Sequence, residues 1–226
     1  MSEPEAEVWL GDCLTNPEHI AFYRHDEPQD FNGLVDGLRR ADPLTSDQLP
    51  SKIWPKDVRN AERGERVKRI RNFARATGGM TVISPKFAAL LREFDLGVAD
   101  GAGSDSRCVQ LHPIEQLTAE NGKLVGQLYL LHVATQKESL ISRLSTGVSI
   151  TETKKGPFVN IHSLERVSLM LSRESLHGPD IWREKWLRRG ILFSDRLVRA
   201  MQAAKIREIS FQPCTIVDQP DGATNA

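Results

Sequence analysis

Apolar positions along this chain fall into the same arrangement twice: a short apolar run, a serine, an amphipathic stripe, and a second apolar run that closes on a proline. The first copy runs from Thr81-Val82-Ile83-Ser84-Pro85 through Phe87, Leu90, Leu91 and Phe94 to Val109-Gln110-Leu111-His112-Pro113. The second runs from Ile191-Leu192-Phe193-Ser194-Asp195 through Leu197, Ala200, Met201 and Ala204 to Ile209-Ser210-Phe211-Gln212-Pro213. Each stripe has the i, i+3, i+4, i+7 spacing that puts apolar side chains on one face of a helix. Each serine stands where its hydroxyl oxygen can accept a bond from the free N–H groups of the first turn. Pro85 suits the first helical position, and Asp195 favours the positive end of the helix dipole. The pattern therefore predicts two strand–Ser–helix–strand units, with Leu90, Leu91, Leu197 and Met201 facing a core.

Elsewhere the pattern is less regular. His19–Arg24 has the β-branched and aromatic content of a strand. Asp26 to Pro55 is rich in turn formers and reads as irregular, with one short strand or helical turn around Leu34–Leu38. Lys56 to Arg75 places Val67, Ile70, Phe73 and Ala74 at helical spacing beneath a basic outer face. Leu124–Ala134 is apolar on both alternating faces at its centre, the mark of a buried strand. Phe158–Ile161 and Arg166–Leu171 read as further strands. The predicted class is α+β: a mixed or mainly antiparallel sheet with the two units packed on it, in a single compact domain. Residues 1–50 form an irregular N-terminal segment with a short strand, residues 51–218 the α+β domain, and residues 219–226 a flexible tail.

Composition narrows the function classes. Thirty basic and thirty acidic residues cancel, so no net field draws the protein to nucleic acid or an anionic membrane. There is no apolar run of membrane-spanning length. The acidic start, Met1 to Glu7, lacks the layout of a signal peptide. Cys13, Cys108 and Cys214 are odd in number and widely spaced, which fits a reducing compartment and a cytoplasmic location.

Candidate chemistry is sparse. A Ser194–His177–Asp195 hydrolase would need its serine on a sharp turn, commonly in a Gly-X-Ser-X-Gly context, and the glycines are missing. A helix cap accounts for Ser194 better. No histidine has another three or four residues away, so the sequence offers no helical metal pair and no metal site is expected. His112 in the first unit is matched by Gln212 in the second, an exchange that suits a polar strand end rather than a proton shuttle. The basic stretch Arg63–Arg75 carries one aromatic, Phe73, on its apolar stripe, so a solvated helix face is favoured over base stacking. Trp182, Arg183 and Trp186 are the candidate partner-binding residues, because aromatic and Arg side chains concentrate binding energy. The two tryptophans, four apart, would share a helix face. Packing of Trp182 onto the second unit is an equally good reading.

The His177-Gly178-Pro179-Asp180-Ile181-Trp182-Arg183 stretch, the Leu192-Phe193-Ser194-Asp195-Arg196-Leu197 helix start and the strand–Ser–helix–strand–Pro order resemble a family of bacterial immunity proteins. It is the eleventh-numbered immunity family of polymorphic toxin systems, related to a myxobacterial immunity protein. The resemblance is clearest over Met80–Pro113 and His177–Pro213. It implies a cytoplasmic protein that binds a cognate toxin and blocks it by steric occlusion, with no catalytic constellation and no cofactor. No functional residue transfers with it. Two other classes stay open: a small hydrolase or transferase with a site assembled from separated His, Asp and Ser residues, and a weak nucleic-acid binder using the Arg63–Arg75 face.

Overall fold

A computed structural model describes residues 7–12, 22–55, 72–97, 108–118, 121–153, 156–187 and 190–218. Its first strand, β1 (Val8–Asp12), belongs to a sheet completed much later in the chain. The next six strands close into a barrel: β2 (Phe22–His25), β3 (Lys52–Pro55), β4 (Phe73–Ala76), β5 (Thr81–Ile83), β6 (Val109–Leu117) and β7 (Leu124–Val133), in the order β2-β3-β6-β7-β5-β4. The β3–β6 and β2–β4 pairs are parallel and the other four antiparallel. Among the described residues three helices accompany the sheets: α1 (Phe31–Arg40), α2 (Pro85–Leu91) and α3 (Asp195–Ala203).

The C-terminal half supplies β8 (Gln136–Lys137), β9 (Val148–Thr153), β10 (Gly156–Ile161), β11 (Met170–Ser172), β12 (Ile181–Glu184), β13 (Ile191–Ser194), β14 (Ser210–Pro213) and β15 (Thr215–Val217). A five-stranded sheet runs in the order β14-β1-β13-β12-β8, while β9 with β10 and β11 with β15 form two-stranded pairs. The fold is α+β with mixed and antiparallel sheets, as the sequence predicts.

Both repeated units form, and they share a topology that the sequence does not display. In the first, β5 and β6 flank β7 and run antiparallel to it; in the second, β13 and β14 flank β1 in the same way. Each unit is thus a split β-α-β whose central strand is supplied from outside it. Both caps are present: the Phe87 amide donates to Ser84 Oγ at 3.1 Å and the Leu197 amide to Ser194 Oγ at 3.3 Å. Leu91, Leu197 and Met201 are buried, and Leu90 is half-buried against the same cluster.

Alternation along the strands sorts side chains into three packed layers. Ala74, Val82 and Leu130 join Ile53, Met80, Ile114 and Leu128 in one cluster built from the barrel strands. Their neighbours Phe73, Ile83 and Leu131 face the other way, toward α2, α3 and the five-stranded sheet. Val8, Leu10, Trp182 and Leu192 fill a third cluster on that sheet's far face, together with Val159, Leu169 and Leu171. This is why β7 is apolar on both sides.

Four expectations need correction. The stretch read as irregular contains the ten-residue helix α1, started by Asp30, whose carboxylate accepts from the Gly33 amide at 2.8 Å. Residues 1–50 also supply β1 and β2, both members of larger sheets with neighbours on two sides. Of the helix expected over Lys56–Arg75, residues 56–71 lie outside the described residues, and Phe73–Ala76 is strand β4, where pairing with β5 wins over the helical spacing. Arg166–Leu171 is a strand only from Met170 onward, after a 3-10 turn at Leu164–Arg166.

Candidate partner-binding site

The sequence places Trp182, Arg183 and Trp186 on a helix face; the structure places them on β12 and the turn after it. Ile181 and Trp182 pair with Phe193 and Leu192 of β13, and Arg183 and Glu184 with Gln136 and Lys137 of β8. Strand alternation then sends the four side chains to different places. Ile181 enters the cluster under α2 and α3, and Trp182 the opposite one, where it is 1% exposed. Buried so deeply, Trp182 is a core residue and is not free to anchor a partner. Arg183 turns toward α1, donating to the Leu38 carbonyl at 2.6 Å and the Arg39 carbonyl at 3.4 Å. It satisfies carbonyls that the end of a helix leaves unpaired, where positive charge also suits the dipole. Burial pushes the Arg183 pKa down.

Trp186 lies half-buried at the surface. Its indole N–H donates to Glu138 Oε1 at 2.8 Å, and Lys185 pairs with Glu138 Oε2 at 2.9 Å while sitting 4.5 Å from the Trp186 ring centre. Bonds from Lys185 and Trp186 hold the Glu138 carboxyl below the usual carboxylate range. The ring is therefore fixed in orientation before any partner arrives. Of the three candidates, only Trp186 is both accessible and preorganised.

Two further ionisable side chains, the half-buried Lys137 on β8 and the buried Glu184 on β12, belong to the same sheet. Lys137 Nζ sits 3.6 Å from the Trp182 ring centre and donates to the carbonyls of Ser175, His177 and Pro179, at 2.9, 2.7 and 3.4 Å. Burial lowers its pKa to about 8. Glu184 accepts from the Ser139 amide and hydroxyl at 2.7 and 2.8 Å, yet its burial prevails and raises its pKa to about 7. Neither was singled out from the sequence, because each acquires its role from segments about 40 residues away.

Behind the tryptophan, a cleft of about 450 Å³ is lined by Ser175, Pro179, Asp180, Ser194, Arg196 and Arg199 among others. It is where the hydrolase alternative would have to operate. Ser194 Oγ donates to Asp180 Oδ1 while accepting from the Leu197 amide, so the hydroxyl is engaged in capping. Asp180, 2% exposed, is held by both nitrogens of an Arg196 fork and by the Asp95 amide at 2.9 Å. Burial works against its charge, but the bonds from Arg196, Ser194 and Asp95 prevail and its pKa is lowered. No imidazole joins this network among the described residues. His132 bonds the Asp42 carbonyl at 2.7 Å in a different region, its pKa pushed down to about 4 by burial, and His162 and His177 are exposed. Among the described residues no three His, Cys, Asp or Glu side chains gather as metal ligands. Cys108 and Cys214 are free thiols, the latter buried with its pKa pushed up to about 12; Cys13 lies outside the described residues.

What the site presents is thus a tethered surface feature and a cleft in which Asp180 pairs with Arg196 and Asp195 with Arg199. The sequence pattern of the Immunity protein family (Imm11) matches residues 36–215. The chain belongs to that immunity family. The match takes in the second half of α1, the barrel from β3 onward, both Ser-capped helices and the segment carrying Trp182, Arg183 and Trp186. It leaves β1 and β2 outside, although β1 is an interior strand of the five-stranded sheet, between β14 and β13. No curated protein matches the chain. Membership of the Imm11 family supports an immunity role and implies a toxin as partner. No helix among the described residues is long and apolar enough to cross a membrane.

Proposed function

We propose that this protein binds a cognate toxin domain of a bacterial polymorphic toxin system in the cytoplasm and neutralises it by steric occlusion, without catalysis or cofactor. The observation that carries the reading is the family match over residues 36–215. The structure is compatible with it: Ser194, the serine of the cleft that bonds a carboxylate, caps a helix, and there Asp180 pairs with Arg196 and Asp195 with Arg199. Trp186 is the anchor retained from the sequence, its ring fixed by Glu138. Trp182 and Arg183 support it from within, one by packing and the other by tying β12 to α1.

The test is co-expression with the C-terminal domain of a secreted protein encoded beside this gene. The wild-type protein is expected to restore growth and to co-purify with that domain in the presence of a chelator and without added nucleotide. A wild-type protein that neither binds nor protects against any such domain would overturn the reading.

A further inference from the structure

The β9–β10 hairpin has one finished edge and one unfinished edge. On the β10 side, Val159 forms a parallel bridge with Leu187 and its amide donates to the Trp186 carbonyl at 2.8 Å. On the other side, β9 has no strand partner among the described residues. Natural edge strands are usually blunted by proline, lysine, a bulge or short length, because unpaired backbone groups template further pairing. β9 is six residues long, Val148-Ser149-Ile150-Thr151-Glu152-Thr153, pairs with β10 in unbroken register, and has Glu152 as its one charged residue.

Side chains give a second, independent sign. Residues directly opposite on an antiparallel pair share a sheet face, so Val148 with Ile161 and Ile150 with Val159 point the same way. Val159 is buried in the third core cluster, with Val148 and Ile161 packed against it. Ile150, next in that row, overhangs the cluster and is 48% exposed. Leu144, on the turn leading into β9, is 45% exposed. Two of the four large exposed hydrophobics among the described residues thus lie on the open strand or on the turn that leads into it. An added strand would pair the free backbone groups and cover Ile150, continuing the core outward.

We propose that the toxin domain docks an extended segment on β9, adding a strand to the β9–β10 hairpin; this rests on the immunity reading above. Strand addition draws its affinity from main-chain bonds and its selectivity from alternate side chains, Ile150 here being the pocket-filling one. From Ile150 the row continues through Val159 to Leu187, about 10 Å away at the usual strand spacing, beside Trp186. Edge and anchor therefore fit within one interface of ordinary size. Arg143 is exposed on the turn that leads into the strand, so the incoming segment is expected to carry an acidic residue at that end.

The experiment measures binding of Ile150→Lys and of the control Leu124→Lys to the adjacent gene's toxin domain, by calorimetry and growth rescue. Leu124 is the most exposed large hydrophobic and lies on β7, in the barrel. Ile150→Lys should weaken binding by at least about 30-fold, as loss of an interface hot spot does, with an unchanged melting curve. Leu124→Lys should bind like the wild type. Hydrogen exchange on the wild-type complex should show amide protection gained over residues 148–153, a readout that does not depend on how either variant folds. Equal binding by Ile150→Lys, or unchanged exchange over 148–153 in a complex that does form, would overturn the docking site alone. Failure of the wild type to bind would overturn the immunity reading instead. A wild-type dimer in sedimentation equilibrium that Ile150→Lys dissociates would make a second copy the occupant and also overturn the proposal.

Discussion

Replacing Arg183 with alanine should destabilise the protein through α1, a site with no sequence neighbour nearby. The guanidinium bonds the Leu38 and Arg39 carbonyls at 2.6 and 3.4 Å, and Gln136 Nε2 reaches the Arg40 carbonyl at 3.2 Å. A hydrogen bond involving a charged group contributes about 1.5–3 kcal/mol, and a cation at a helix C-terminus about 0.3–1 kcal/mol. The longer bond adds little, and water can reach part of the site once the side chain is gone. A loss of about 2 kcal/mol is therefore expected. For a chain of this length that corresponds to a fall in melting temperature of about 4–8 °C. The backbone pairing of β12 should survive, since the Arg183 amide still donates to the Thr135 carbonyl at 2.9 Å. Thermal and urea unfolding of wild type, Arg183→Ala and Arg183→Lys would test this, with lysine recovering part of the loss as a point charge without the fork. An Arg183→Ala melting point within 1 °C of wild type would refute the argument. The same result decides how rescue assays are read, because impaired protection by Arg183→Ala reports a loosened fold unless stability is controlled.

Further outcomes follow from the same geometry. Ser84→Ala and Ser194→Ala should each cost about 1 kcal/mol, seen as a shifted urea midpoint, with protection intact; lost protection at unchanged stability would reinstate Ser194 as a nucleophile. Gly11 lies between β13 and β14, where an added Cβ would meet the Phe193 ring at 2.5 Å, so Gly11→Ala should destabilise by about 1–3 kcal/mol. His132 and Glu184 should give opposed pH dependences. The His132 contribution is present above pH 6.5 and lost as pH falls through about 4. That of Glu184 is present below pH 4.5 and lost as pH rises through about 7. Each is worth about 3 kcal/mol, so they nearly cancel between pH 4.5 and 6.5. In Glu184→Gln, stability should rise with pH across that window; a flat profile in the variant would contradict the burial argument.

The two capped helices were legible because every cue for them is local: an apolar run, a serine, a stripe of period 3.6. β7 was legible for a similar reason, being long and apolar on both faces. α1 was hidden by Asn32-Gly33 and Gly37, residues that oppose a helix in isolation. Its context overrides that, since Gly37 packs so close to Leu44 that a Cβ would sit 2.6 Å from the Leu44 side chain. β12 was misread from the four-residue spacing of its tryptophans, a coincidence when one lies in a strand and the other in the following turn. The Asp180–Arg196 fork and the Lys137 carbonyl cage were invisible, because nothing in a linear pattern says that residues 16 or 40 apart will meet.

The position of β1 has a consequence for how the molecule comes into being on a ribosome. Its two neighbours are residues 191–194 and 210–213, so β1 must wait for strands made about 180 residues later. At the usual elongation rate of about 5–20 residues per second, that interval is roughly 10–40 s. Throughout it, Val8 and Leu10, destined for a buried cluster, lack the flanking strands that hold β1 against it. The barrel strands, spanning residues 22–133, can pair in the meantime. Synthesis thus leaves an assembled barrel carrying an unpaired β1, and the five-stranded sheet matures by recapturing a strand made long before its partners.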